Sequence, residues 1–178
     1  TNSYEKIITP TLLNGTFATF RHELRLLLFS PLSYLFQLGF LAALSAFIFL
    51  VADFYATDEA SIRPMLTFLP WVALILVPAL AMRTWIDDNT DRSIELTLTL
   101  PIQTTAVVLG KFLAGYFILL ITLFFTLPIV ATVYYLGNPD PGVLFSGYFG
   151  SALLLATYYS ISLFAASVAR EPLSAFVI

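Results

Sequence analysis

Phe112–Pro139 reads FLAGYFILLITLFFTLPIVATVYYLGNP and contains no Lys, Arg, Asp, Glu or His. The hydrocarbon core of a bilayer is about 30 Å thick, and a helix rises about 1.5 Å per residue, so roughly 20 apolar residues in a row can cross it. The stretch exceeds that length. Its apolar residues do not alternate at period two as the strands of a membrane barrel do, so the helix is the spanning form that satisfies its backbone groups. Three other intervals pass the same test: Leu26–Ala52, Pro64–Met82 and Pro141–Ala169. The whole chain follows suit. Of its 178 residues, 59% are hydrophobic and 11% charged, and the mean hydropathy of +0.90 lies outside the range of water-soluble domains.

The sequence therefore predicts an all-α integral membrane protein, a single transmembrane helical bundle over residues 1–178. Spanning helices are expected at 32–51, 64–83, 106–136 and 143–169. The closing EPLSAFVI predicts a turn and then, over 172–178, the start of a further helix that the sequence ends too soon to complete. Pro70, Pro78 and Pro128 should kink or loosen the second and third spans. Ser146, Gly147, Gly150 and Ser151 offer a small-residue face for close helix packing on the fourth.

Several function classes fall away. The chain has no cysteine, hence no disulfide framework, thiolate metal site or thiol nucleophile. Its net charge of −3 leaves no electrostatic footprint for nucleic acid. VVLGKF is the nearest approach to a phosphate loop, but Lys111 is followed by Phe112 and no glycine stands at the earlier spacing a Walker motif needs. His22 is the only histidine and has no acidic partner at ligand spacing, so no metal, cofactor or catalytic residue is expected. An ion-coupled carrier or channel would hold ionisable groups at membrane depth. Polar content within the spans reads instead as hydroxyls, such as Ser45, Thr67, Thr122, Thr126 and Thr157, with Gln37 near one edge. No inverted repeat joins the spans.

Orientation follows from the cations. Lys6, Arg21 and Arg25 precede the first span, Arg83, Arg92 and Lys111 lie between the second and third, and Arg170 follows the fourth. Four crossings put all seven on one side, with Arg63 opposite, and the positive-inside rule makes the crowded side cytoplasmic. Ahead of the first span, Phe17, Phe20, Leu24, Leu27 and Leu28 recur at helical spacing while Arg21, His22 and Arg25 share another surface. Residues 14–30 thus read as an amphipathic helix lying along membrane lipids of the inner leaflet; a plain extension of the first span is the other reading. Arg21, Arg25, Arg83, Trp85 and Lys111 are expected to anchor the chain at the interface.

One connection stands apart. MRTWIDDNTDRSIELTLTLP, Met82–Pro101, passes from an acidic half into an apolar half too short to cross and ending at Pro101. From the residues, it is either a solvated loop that fixes topology or two short helical pieces meeting near Arg92 and Ser93. Met82 and Arg83, the pair Asp87 and Asp88, then Ile94, Glu95, Leu96 and Leu98, Pro101 and Ile102, and finally Val108 to Phe112 (VLGKF) follow one another in a pattern that resembles the permease subunit of type-2 ABC exporters. It is closest to the gliding-motility permease group (GldF-like). The likeness extends to FSPLSYLF, YYLGNP and SLFAASVAREPLSAFVI. It departs at Arg92, where the family has glycine, at Ser93 for threonine and at Thr97 for one leucine.

The resemblance implies a bundle of the type-2 ABC exporter permease kind with six spans, of which four and a stub are present, so that a chain truncated or only partly ordered after the fourth is expected. It makes residues 86–100 similar to the coupling helix that docks on a separate ATPase subunit, with Asp87, Asp88, Arg92, Ser93 and Glu95 as contacts and Leu96 and Leu98 as apolar anchors. It further implies two ATPase copies, a second permease subunit as homo- or heterodimer, a possible auxiliary protein on the outer side, and a bacterial inner membrane location with the N-terminus in the cytoplasm. Function would then be ATP-driven export of a lipid-like, polymeric or amphiphilic substrate. A non-transporting scaffold or force-transmitting subunit is the alternative.

Overall fold

The computed structural model describes residues 12–51, 62–90, 104–137 and 139–168, and these residues are almost wholly helical. In chain order the helices are α1 (Leu12–Phe29), α2 (Pro31–Ala46, continued as a π-helix over Phe47–Val51), α3 (Arg63–Thr90), α4 (Thr104–Phe124), α5 (Leu127–Leu136) and α6 (Pro141–Val168). Four apolar stretches are long enough to cross a membrane: Pro31–Phe49, Arg63–Thr84, Thr105–Leu136 and Pro141–Ser167. Among the described residues there is no strand, as the absence of period-two patterning predicts.

Proline sets several boundaries. Ser30 is extended, at φ −87° and ψ 126°, and Pro31 opens α2; the residue before a proline disfavours helix, while the first helical turn needs no N–H from it. Pro70 and Pro78 lie within α3, which continues through both. Pro128 coincides with a true break. Phe125 N donates to Ile121 O (3.0 Å), Thr126 N to Leu123 O (3.1 Å) and Ile129 N to Thr126 O (2.9 Å), a tightened turn between α4 and α5. Backbone freed inside a membrane must find another partner. Here the fully buried Thr126 supplies one, its hydroxyl donating to Leu123 O at 2.6 Å and lying 2.8 Å from the Tyr148 hydroxyl of α6.

Packing orders the helices α2, α3, α6, α4, α1: α3 lies along α6, α6 against α4, and α1 along α4, with α2 against α3. The shared core includes Phe40 and Leu44 of α2, Leu69, Ala73 and Val77 of α3, Ile118 and Leu119 of α4, and Leu155 and Tyr159 of α6. Two glycines of α4 permit the closest approaches. A Cβ at Gly110 would come within 2.6 Å of the Thr19 Cβ of α1, and one at Gly115 would overlap the phenol of Tyr159. Large apolar side chains such as Trp71, Phe145 and Phe164 point outward, where lipid rather than water makes them acceptable.

Two expectations about packing change. The amphipathic helix does not present its whole apolar side to lipid: Thr19, Phe20 and Glu23 turn onto α4, while Phe17, Arg21, His22 and Arg25 stay exposed. On α6, only part of the small-residue set faces a neighbour. Gly147 sits under Leu66 of α3, and Ser151 is buried with its hydroxyl bonded to Gly147 O. Ser146 is exposed and a Cβ at Gly150 would meet open space, because these two positions fall on the side of the helix turned away from α3.

Candidate functional site

At the end of the bundle where the charged stretch begins, two consecutive residues of α3 collect contacts from α2, α4 and α6. Arg83 donates from Nη1 to Ser33 Oγ at 3.0 Å and from Nη2 to Ser30 Oγ, fastening the exit of α3 to the start of α2. Thr84, buried, donates its hydroxyl to Leu80 O at 3.2 Å, and Thr84 Oγ1 also lies 3.3 Å from the Tyr159 hydroxyl of α6. Its carbonyl accepts from Lys111 Nζ of α4 at 3.2 Å. Lys111 in turn pairs with Glu23 of α1, Nζ to Oε1 at 2.8 Å, with the two side chains 2% and 10% exposed.

A lysine this deep inside protein carries a large desolvation cost unless its charge is met by an opposite charge and its protons by acceptors. Glu23 and the Thr84 carbonyl supply both. Among the described residues, no buried side-chain nitrogen or oxygen lacks a hydrogen-bond partner. The arrangement holds no nucleophile–base pair, and the described residues contain no group of three His, Asp or Glu that would hold a metal. The exit of α3 is tied to α2, α4 and α6 directly and to α1 through Lys111.

The residues expected at the membrane interface are thus dispersed among different roles. Arg21 and Arg25 are exposed on α1. Arg83 is half-buried and engaged by serine hydroxyls rather than reaching outward alone. Lys111 lies within the third apolar stretch, Thr105–Leu136, with its ammonium buried in protein against Glu23. The Trp85 side chain is outside the described residues.

Of the candidate ATPase contacts, Asp87 and Asp88 lie on α3 itself, which runs to Thr90, rather than in the first turn of a separate helix; their side chains are outside the described residues. Arg92, Ser93, Glu95, Leu96 and Leu98 also lie outside them, as does the stub at 172–178. Glu23, Thr84 and Tyr159 were not anticipated. The signal for Glu23 was present, since it falls with Phe20, Leu24 and Leu27 on the apolar side of α1 rather than with Arg21 and Arg25.

Beside this cluster, Val108, Leu109, Phe112, Leu163 and Phe164 line a cleft of about 420 Å³ between α4 and α6. Its hydroxyls are already engaged, Ser160 with Ala156 O and Ser167 with Phe164 O.

A family model described as ABC-2 family transporter protein matches residues 38–178, which takes in α3 to α6 and most of α2. Neither a search of curated proteins nor a search of solved structures finds a match. The matched region covers well over half of the sequence and takes in the second, third and fourth apolar stretches whole and the first from residue 38. The chain therefore belongs to the ABC-2 transporter family, as a multi-pass membrane permease component of an ABC transporter.

Proposed function

We propose that this permease couples ATP hydrolysis in a separate ATPase subunit to export of a lipid-like, polymeric or otherwise amphiphilic substrate across a bacterial inner membrane. Residues 86–100 receive the ATPase on the cytoplasmic side, where the N-terminus also lies. The observation that carries this reading is the length of α3. It continues as one helix from Arg63 to Thr90, past the end of its apolar stretch at Thr84. A helix that leaves the membrane unbroken is a lever: displacement at Asp87 and Asp88 becomes displacement of the span. The mixed charge of the sequence that follows, with Arg92 and Glu95 among apolar Leu96 and Leu98, suits a partner surface that pairs charges at its rim and buries aliphatic groups at its centre.

The working unit is a dimer of permeases with two ATPases, as the resemblance to type-2 ABC exporters implies. The motif order around Met82–Phe112 supports a place in the gliding-motility (GldF-like) group, which would add an auxiliary partner outside. The test is co-purification with an ABC ATPase from a shared expression system. Association and stimulation of ATP hydrolysis are expected with the native chain, and both should fall on combined Glu95→Ala, Leu96→Ala and Leu98→Ala substitution. Association undiminished by changes throughout 86–100 would refute the docking role, and a stable permease that neither binds nor stimulates any ATPase would favour a scaffold.

A further inference from the structure

An ion pair buried in protein seldom improves stability over a well-packed apolar pair of equal volume. Its value lies in fixing one arrangement, because moving either partner strands a charge. Glu23 and Lys111 form such a pair in this chain, on two helices distant in sequence, and Lys111 also bonds the exit of α3. Lys111 Nζ holds Glu23 Oε1 at 2.8 Å and the Thr84 carbonyl at 3.2 Å simultaneously. Around it the fit is close: Gly110 admits Thr19 and the backbone of Phe20, and Phe20 meets Phe117 edge-on with ring centroids 6.2 Å apart. The ammonium thus links α1, α3 and α4, and it meets α3 at Thr84, one residue beyond Arg83 and three residues before Asp87.

We propose that Glu23 and Lys111 are positioning residues of transport, a joint that makes α1 and α4 follow the exit of α3 when the ATPase displaces it. This rests on the ATPase-coupled reading of residues 86–100. Without the joint, α3 moves while α1 does not, and the displacement dissipates as local slack at Thr84. The close packing of α1 on α4 holds those two helices together, and the ammonium adds the tie from both to Thr84 of α3, which cannot be drawn away without stranding a desolvated charge.

The experiment compares the native permease with the E23Q/K111M variant, each assembled with its ATPase in nanodiscs. The variant removes both charges at nearly constant volume, so the bundle is expected to assemble and bind the ATPase as the native chain does. Two readouts separate a joint from a merely structural contact. Stimulation of ATP hydrolysis by the permease should fall by at least about fivefold, the lower end of ordinary coupling effects between sites. Because the chain has no native cysteine, spin labels at Phe17→Cys on α1 and Phe124→Cys on α4, both exposed, report the same event. Their distance distribution should be narrow with and without nucleotide in the native chain and broaden in the variant. Full stimulation with a narrow distribution in E23Q/K111M would overturn the joint while leaving ATPase docking intact. Absence of association in the native chain would instead overturn the docking reading and the joint with it. Should E23Q/K111M fail to assemble, E23D serves, keeping the charge but shortening its reach; undiminished stimulation there also overturns the proposal.

Discussion

Substituting Lys111 by methionine alone should destabilise the chain far more than substituting Glu23 and Lys111 together. At 2.8 Å and an effective dielectric of about 20, the attraction between the two charges is about 6 kcal/mol. Most of it offsets the several kcal/mol needed to remove each ion from water. Deleting the lysine abolishes the attraction but leaves the desolvated carboxylate, and single deletions from buried pairs cost about 3–5 kcal/mol. Replacing both by Gln and Met removes the attraction and both desolvation costs, so the double variant should fall within about 2 kcal/mol of the native chain. The coupling energy in the double-mutant cycle is then at least about 1 kcal/mol. Equilibrium unfolding in mixed micelles, or thermal melting followed by monodispersity, reads this directly. At roughly 2–4 °C per kcal/mol for a chain of this size, K111M should melt about 6–20 °C lower, and Arg25→Gln, at an exposed position, should not move it. A K111M variant within about 1 kcal/mol of native, or a double variant as unstable as the sum of the singles, would refute the assignment of Lys111 to a desolvated pair.

Gly115→Ala should lower stability by about 1–3 kcal/mol through overpacking against Tyr159, while Gly150→Ala, which meets open space, should be close to neutral in the same melting assay. Thr126→Val keeps the volume but removes the hydroxyl from Leu123 O and Tyr148; a loss of about 1 kcal/mol is expected, and no loss would show that the break needs no side-chain partner. Ser93→Cys in the cysteine-free chain should react with an impermeant maleimide in inside-out vesicles and resist it in intact cells. Labelling from the outside would reverse the topology.

Helix type and span number were legible because a bilayer imposes one length scale and one way to satisfy the backbone, and Leu26–Ala52 or Phe112–Pro139 meets it with no competing pattern. The break at Thr126 was half legible: Pro128 announced a weakness, but Pro70 and Pro78 announced the same and α3 continues through both. The difference lies in partners such as Tyr148, whose proximity depends on the fold. The buried cluster was hidden for the same reason. Lys111 stands at the edge of an apolar interval, where lysine ordinarily reaches for headgroups, and only the packing of α1 onto α4 brings an acid 88 positions away in sequence into contact. Glu23 alone carried a sign of this, by its place on the apolar face of α1.

Arg83 and Thr84 are neighbours on a helix, so their side chains leave its axis about 100° apart and engage different sides of the surrounding molecule. A rod gripped at two such angles behaves as a keyed shaft. Turning α3 about its own axis would disengage Ser30 and Ser33 at one angle and Tyr159 at the other, while tilting or sliding the whole assembly keeps both. The motions open to this bundle at that level are therefore translations and tilts of packed helices, not the spinning of one among stationary neighbours.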